Sequence, residues 1–219
     1  MHTPQPEKRR RGRPPKAGNG GIETRERLLQ SGVKTLTEKG FSAAGLDEIL
    51  RRVSVPKGSF YHYFGSKTEF GIALIQRYAD YFSRKLDRIL LDESRNPLDR
   101  MKLFVTDAES GMARYEFKRG CLVGNLGQEM GNLPECFREQ LLAVFSEWQG
   151  RFSKSLEAAK SAGQIRHDAD CEELAEVFWI GWEGAVLRAK LEKSPQPLTR
   201  FSSFYFDAIS VQNSTTFQS

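Results

Sequence analysis

Residues Val53 to Lys67 read VSVPKGSFYHYFGSK, and this run limits the possible fold more than any other stretch. Pro56 fixes its own φ and lacks a backbone donor, so a helix arriving from the N-terminal side stops at a turn before it. Beyond the turn, Phe60 and Phe64 stand four apart and share one helix face, while Lys57, Gly58, Tyr61 and His62 fall on the opposite face. A cation, a bare backbone position, a phenol and an imidazole together suit a surface that meets phosphates and base edges. The apolar face needs a core, and the preceding residues supply one. Ile22 to Lys39 reads as a helix with Leu29, Val33 and Leu36 on one side and Gly40 as its stop. Leu46, Ile49, Leu50 and Val53 follow at i, i+3, i+4 and i+7. With Phe41 these faces close a three-helix core.

The rest of the chain reads as helix after helix. Ser66 and Glu69 form a capping box that opens a long helix to about Leu91. Lys67 lies in its first turn, where a cation opposes the helix dipole unless an anion is near; a phosphate would be such an anion. Asn96, Pro97 and Asp99 are start signals for a helix to about Phe117. A short helix is expected around Val123 to Met130, between glycines. Pro134 opens a long helix to about Ser161 that ends at Gly163. Asp170 and Glu173 cap another to about Lys193, and Leu198 to Val211 forms the last. No segment sustains strand alternation. The expected architecture is all-α: a disordered basic arm (1–21), a helix-turn-helix DNA-binding bundle (22–66), a larger helical domain (67–211) entered by the long helix, and a disordered tail (212–219).

Charge and composition narrow the function. Of 219 residues 28% are charged, the formal net charge is +5, and Lys8 to Lys16 (KRRRGRPPK) holds no acidic residue. So basic an end points to a polyanion. Arg11-Gly12-Arg13-Pro14 resembles an AT-hook core, an extended segment whose arginines enter a narrow minor groove. The alternative is a solubilising tail with only nonspecific attraction. No apolar run is long enough to span a membrane and no charged-then-apolar leader opens the chain, which argues for the cytoplasm. Cys121, Cys136 and Cys171 are far apart, and with His2, His62 and His167 they give no zinc spacing. The glycines of 119–131 lack the dinucleotide-binding spacing. His167 beside Asp168 and Asp170 reads as a helix-start region. Nothing calls for a cofactor, a metal or an enzyme.

Residues 40–67, GFSAAGLDEILRRVSVPKGSFYHYFGSK, resemble the helix-turn-helix of the tetracycline-repressor (TetR) family, most specifically in the FYHYF-x-x-K ending. There are two departures. Ala44 and Gly45 stand where the family often has Thr or Ser, and Ser54 stands where its turn glycine is common. Phosphate contact from the second helix then falls to backbone N–H groups. The resemblance makes Arg11, Arg13, Gly45, Lys57, Gly58, Ser59, Tyr61, His62, Tyr63 and Lys67 candidates to contact a palindromic double-stranded operator.

The second half would serve two purposes. The 170–193 helix is apolar around more than one stripe, through Leu174, Val177, Phe178, Trp179, Ile180, Trp182 and Leu187, so one face is left over. Gly181, Gly184 and Ala185 permit close approach of another helix. Paired with the 198–211 helix, it suits a homodimer that reads a twofold operator, as the resemblance also implies. The alternative is burial within its own domain. The second purpose is a pocket, to which Trp148, Trp179, Trp182, Tyr115, Phe117 and Phe145 bring aromatic walls. Arg114, Asn125, Gln128, Glu183, Arg188 and Lys190 bring polar candidates.

Within the family, residues 117–134 and 178–192 and the RRGRPP arm resemble regulators of acrylate utilisation. The PKGSFYHYF run, Gly120-Cys121-Leu122 and Ala189-Lys190 resemble, more distantly, electrophile and oxidant sensors. The implied effector is a small unsaturated carboxylate such as acrylate. Its site needs a cation and an apolar slot. Arg188 or Lys190 would give the charge, and Trp179 or Trp182 the slot. Beside a lysine, Cys121 would favour its thiolate, which attacks activated alkenes. It would otherwise be a small buried hydrophobe, or a neighbour of an effector held noncovalently.

Overall fold

The computed structural model describes residues 20–211, all of whose regular elements are helices. The arm residues Arg11 and Arg13 and the 212–219 tail lie outside the described residues. In chain order the helices are α1 (Gly20–Lys39), α2 (Leu46–Arg52), α3 (Lys57–Tyr63), α4 (Lys67–Leu90), α5 (Pro97–Ala113), α6 (Leu122–Gln128), α7 (Glu135–Ser161), α8 (Cys171–Glu192) and α9 (Gln196–Ile209). A 3₁₀ turn, Met130–Asn132, precedes α7.

The first three helices close as their apolar spacing demands. Leu28, Leu29, Leu36, Ile49, Leu50, Phe60 and Phe64 are buried together, with Phe60 in edge contact with Phe70 of α4. Gly40 ends α1 at φ +80°, which an L side chain resists, and its open side is filled by the Glu129 carboxylate. Ser54 sits in the left-handed region at φ 54°, where the family's usual glycine would rest without strain. Gly45 and Pro56 cap α2 and α3 without a side-chain bond.

Capping decides the later boundaries. Ser66 Oγ accepts the Glu69 N–H at 3.0 Å, but the Glu69 carboxylate takes the Gly65 N–H rather than that of Ser66, so the expected box closes one residue early. The Asp170 carboxylate accepts from Glu172 and Glu173 N–H. Helix α5 stops at Ala113, short of the expected Phe117. The chain turns over Arg114 to Lys118, and Glu116 and Phe117 take positive φ. Around α4 the helices α5, α7 and α8 enclose a continuous core. At its centre lie Phe82, Phe104, Trp148, Phe152, Phe178, Trp179 and Trp182, with Trp148 and Trp179 centroids 5.1 Å apart. None of the helices among the described residues is long and apolar enough to cross a membrane.

Candidate nucleic-acid interface and effector cavity

Helix α3 turns two opposite faces outward and inward. Phe60 is fully buried and anchors the helix, while Lys57, Gly58, Tyr61 and His62 are exposed and Ser59 and Tyr63 half-buried. No atom lies within contact of a Cβ built on Gly58 or Gly45, so the backbone at both is open to approach. Lys57 Nζ lies 3.5 Å from Asp47 of α2, a loose, exposed pair that a phosphate can displace.

Lys67 behaves differently from expectation. Its ammonium donates to Phe41 O at 3.0 Å and sits 4.5 Å over the Phe41 ring. Partial burial lowers its pKa, with the Glu129 carboxylate opposing. Glu129 is thus an anion within the protein that favours the charged form of Lys67.

Glu129 belongs to a set of ties between the second half of the chain and the helix-turn-helix. Its carboxylate accepts the N–H groups of Phe41 and Ser42 at 2.9 and 2.8 Å. The Asn125 amide donates to Leu36 O and Thr37 O, and Gly120 N–H donates to Thr37 O at 3.2 Å. Arg119 pairs with Glu38 at 3.0 Å. The segment from Arg119 to Glu129 thus grips the C-terminal end of α1 and the α1–α2 connection.

The same segment forms a wall of a cavity of about 310 Å³. Val33, Lys34 and Thr37 of α1 line one side, Tyr78, Phe82 and Lys85 of α4 another, and Phe104 and Met112 of α5 a third. Cys121 and, from α8, Trp182, Glu183 and Val186 complete it. Trp182, Glu183 and Cys121 of the expected pocket residues are brought together here, with Tyr115 beside them.

The other candidates are not on its walls. Trp148 and Trp179 are fully buried in the aromatic core, each with an indole N–H that has no partner among the described residues. Asn125 ties α6 to α1, and its Oδ1 accepts from Lys190 at 3.2 Å. Arg188 lies on the outer face of α8, paired with Glu192. Arg114 is exposed in the turn after α5, and Gln128 is exposed at the end of α6.

Electrostatics weigh against the expected thiolate. Burial, and then the facing Glu183 carboxyl, push the Cys121 thiol well above its usual pKa. Lys190 donates to Asn125 Oδ1 and interacts electrostatically with Cys121, and burial lowers its own pKa. Cys121 Sγ accepts the Gly124 N–H at 3.4 Å and caps α6. Glu183 packs its carboxyl against Gly124, and burial raises its pKa to about 7. Sequence reasoning missed Lys34, Tyr78, Lys85 and Glu129 as members of this region; each belongs to a different element from its partners, and no local pattern marks it.

A second feature is the outer side of α8. Val177, Ile180, Leu187 and Leu191 are exposed there, Ile180 by 67%, and Phe204 of α9 by 75%. Phe201 covers Gly181, and the groove beside Gly184 and Phe204 has no partner among the described residues.

Comparison with known proteins agrees with this geometry. Residues 28–74 match the family described as bacterial regulatory proteins, tetR family, and residues 97–205 match the tetracyclin repressor-like C-terminal domain. The transcriptional regulator AcuR of Cereibacter sphaeroides is 53% identical over 197 residues, 90% of each chain. The transcriptional repressor NemR of Escherichia coli is 31% identical over 176 residues, 80% of this chain and 88% of its own. A crystal structure of a regulatory protein TetR from Rhodobacter sphaeroides is 52% identical with a TM-score of 0.83, covering 85% of this chain and 98% of that one.

Proposed function

The chain belongs to the tetR family of bacterial regulatory proteins, a family of regulators rather than enzymes, and from that premise we propose that it is a cytoplasmic transcriptional repressor released from its operator by a small unsaturated carboxylate, acrylate being the first candidate. Residues 22–66 would be the DNA-binding unit and 67–211 the unit for effector and dimer.

One observation carries the reading: α1 supports the helix-turn-helix and also lines the cavity, while the Arg119–Glu129 segment touches both. An effector that reshapes the cavity acts on α1 directly. Two copies joined through the outer faces of α8 and α9 would hold two α3 helices in successive major grooves, roughly 34 Å apart. Lys57, Gly58, Ser59, Tyr61, His62 and Tyr63 would meet phosphates and base edges, with the Gly45 backbone beside them and Arg11 and Arg13 in the minor groove. Lys67 would act through Phe41 rather than on a phosphate. An effector can shift the DNA equilibrium only by its differential affinity for the two states. The name of AcuR suggests acrylate, and the cavity of about 310 Å³ has room for it and for larger acids.

The test is an electrophoretic shift with a palindrome from the DNA upstream of its own coding sequence. Shift by the protein and release by acrylate support the proposal; a shift that no small acid reverses removes the effector. Tyr61→Ala weakens specific binding by about 1–3 kcal/mol. A second reading, covalent capture of an electrophile by Cys121, draws support from the position of that thiol on the cavity wall. The high thiol pKa weighs against it. Cys121→Ser with unchanged electrophile response eliminates it.

A further inference from the structure

We propose that Glu183 is the polar anchor of the effector, an un-ionised carboxyl that donates its proton to the oxygen of a small carboxylate lodged against Trp182 and Cys121. The inference rests on the effector reading above and names the group that reading lacked. The cations assigned to the task by sequence are elsewhere: Arg188 is outside the cavity and Lys190 donates to Asn125. Two cations on the lining are already matched, Lys85 with Asp107 and Arg119 with Glu38. Glu183 is on the lining, and its Oε1 is buried with no hydrogen-bond partner among the described residues. A buried polar atom left so is costly unless a ligand or a proton satisfies it.

Burial favours the protonated form of Glu183, and the hydrogen bond with Cys121 opposes it. Tyr78 of α4 and Cys121 from the α5–α6 connection face it, both with pKa values raised by burial. Lys34 of α1, Lys85 of α4 and Arg119 stand on the same lining, and Lys190 lies farther along α8. Lys34 is exposed and has no ion-pair partner among the described residues, so it suits attraction of an anion to the cavity rather than a buried grip. Burial holds the Glu183 carboxyl at about pKa 7 against the ordinary carboxylate range. An acid in this state donates one hydrogen bond and carries no charge, so it accepts an anion that its ionised form repels.

Binding an anionic effector then keeps one proton on the protein. Acrylate is ionised throughout the pH range 6–9, so any pH dependence belongs to the protein. Calorimetric titration of the full chain with acrylate at pH 6, 7, 8 and 9 tests this. The dissociation constant rises about tenfold per unit at the alkaline end, and acrylamide, which is uncharged, shows no such rise. Glu183→Gln keeps a donor and loses the proton, so its acrylate affinity is flat with pH. A flat wild-type profile overturns the anchor, as does a slope that persists in Glu183→Gln. Should that variant fold poorly, proton uptake by the wild type at pH 8, from titrations in two buffers of different ionisation enthalpy, decides: near one proton supports the anchor and none overturns it. Absence of acrylate binding at every pH removes the effector reading itself, which is a different result from binding without a slope.

Discussion

The α3 end of the molecule and the effector cavity are built in opposite ways. The exposed face of α3 comes from residues within two helical turns of each other, fixed by Pro56 behind and Phe60 beneath. The cavity draws on α1, α4, α5, the α5–α6 connection and α8, so its lining spans Gln30 to Val186. A surface made by one short helix can change its side chains freely while its anchor stays. A cavity walled by five segments lets an occupant touch several of them at once. That asymmetry suits the second to the sensing and the first to the reading proposed for them, with α1 and the Arg119–Glu129 segment between them.

The largest test of this contrast concerns the anchor. Phe60→Ala removes a fully buried ring and costs about 3–5 kcal/mol, read as a lowered denaturant midpoint. A loss under about 1 kcal/mol would mean that α3 is not held from beneath.

Next comes Glu183. Its folded pKa, about 7, is above the ordinary unfolded value of 4.5. The folded chain therefore keeps a proton that the unfolded chain gives up between those values. This contribution to stability is fully present below pH 4.5 and is lost as pH rises through 7. The loss amounts to up to about 3 kcal/mol. Glu183→Gln abolishes that part of the pH profile in thermal melts, and a profile unchanged by the substitution would place the carboxyl in a wetter site.

Glu129→Ala is smaller in stability and larger in coupling. It leaves the Phe41 and Ser42 N–H groups without their acceptor, at about 1–3 kcal/mol. We expect effector binding to persist while effector-driven DNA release weakens. Equal release in the variant would show that the ties of Asn125, Gly120 and Arg119 suffice. Smallest is Ser54→Gly, which relieves a left-handed backbone and stabilises by about 1 kcal/mol in chemical unfolding, with DNA binding retained.

How much could be read in advance follows the same division. Pro56, Phe60 and Phe64 are close in sequence, and their spacing alone gives α3 its two faces. Ser54 stands out against the family's glycine, and its positive φ is the physical reason for that glycine. The all-α architecture followed from spacing and caps such as Asp170. The pocket was harder because α8 is apolar nearly all round: Trp179, Ile180 and Trp182 lie on different faces, so periodicity does not orient it. Arg188 is on the outer face for that reason, and Trp148 went to the core. Arg114 was misjudged because α5 ends at Ala113, where Glu116 and Phe117 turn the chain. Glu183 was among the polar candidates, yet its unpartnered Oε1 appears only once Gly124 and Cys121 are beside it.

The central claim is that effector and operator compete through one molecule. Fluorescence anisotropy of a labelled palindromic duplex, titrated with protein at a series of acrylate concentrations, measures it most directly. Acrylate should weaken the duplex by a saturable factor, and the duplex should weaken acrylate by the same factor. Acrylate that binds the protein at full occupancy while the duplex affinity stays constant would contradict the account.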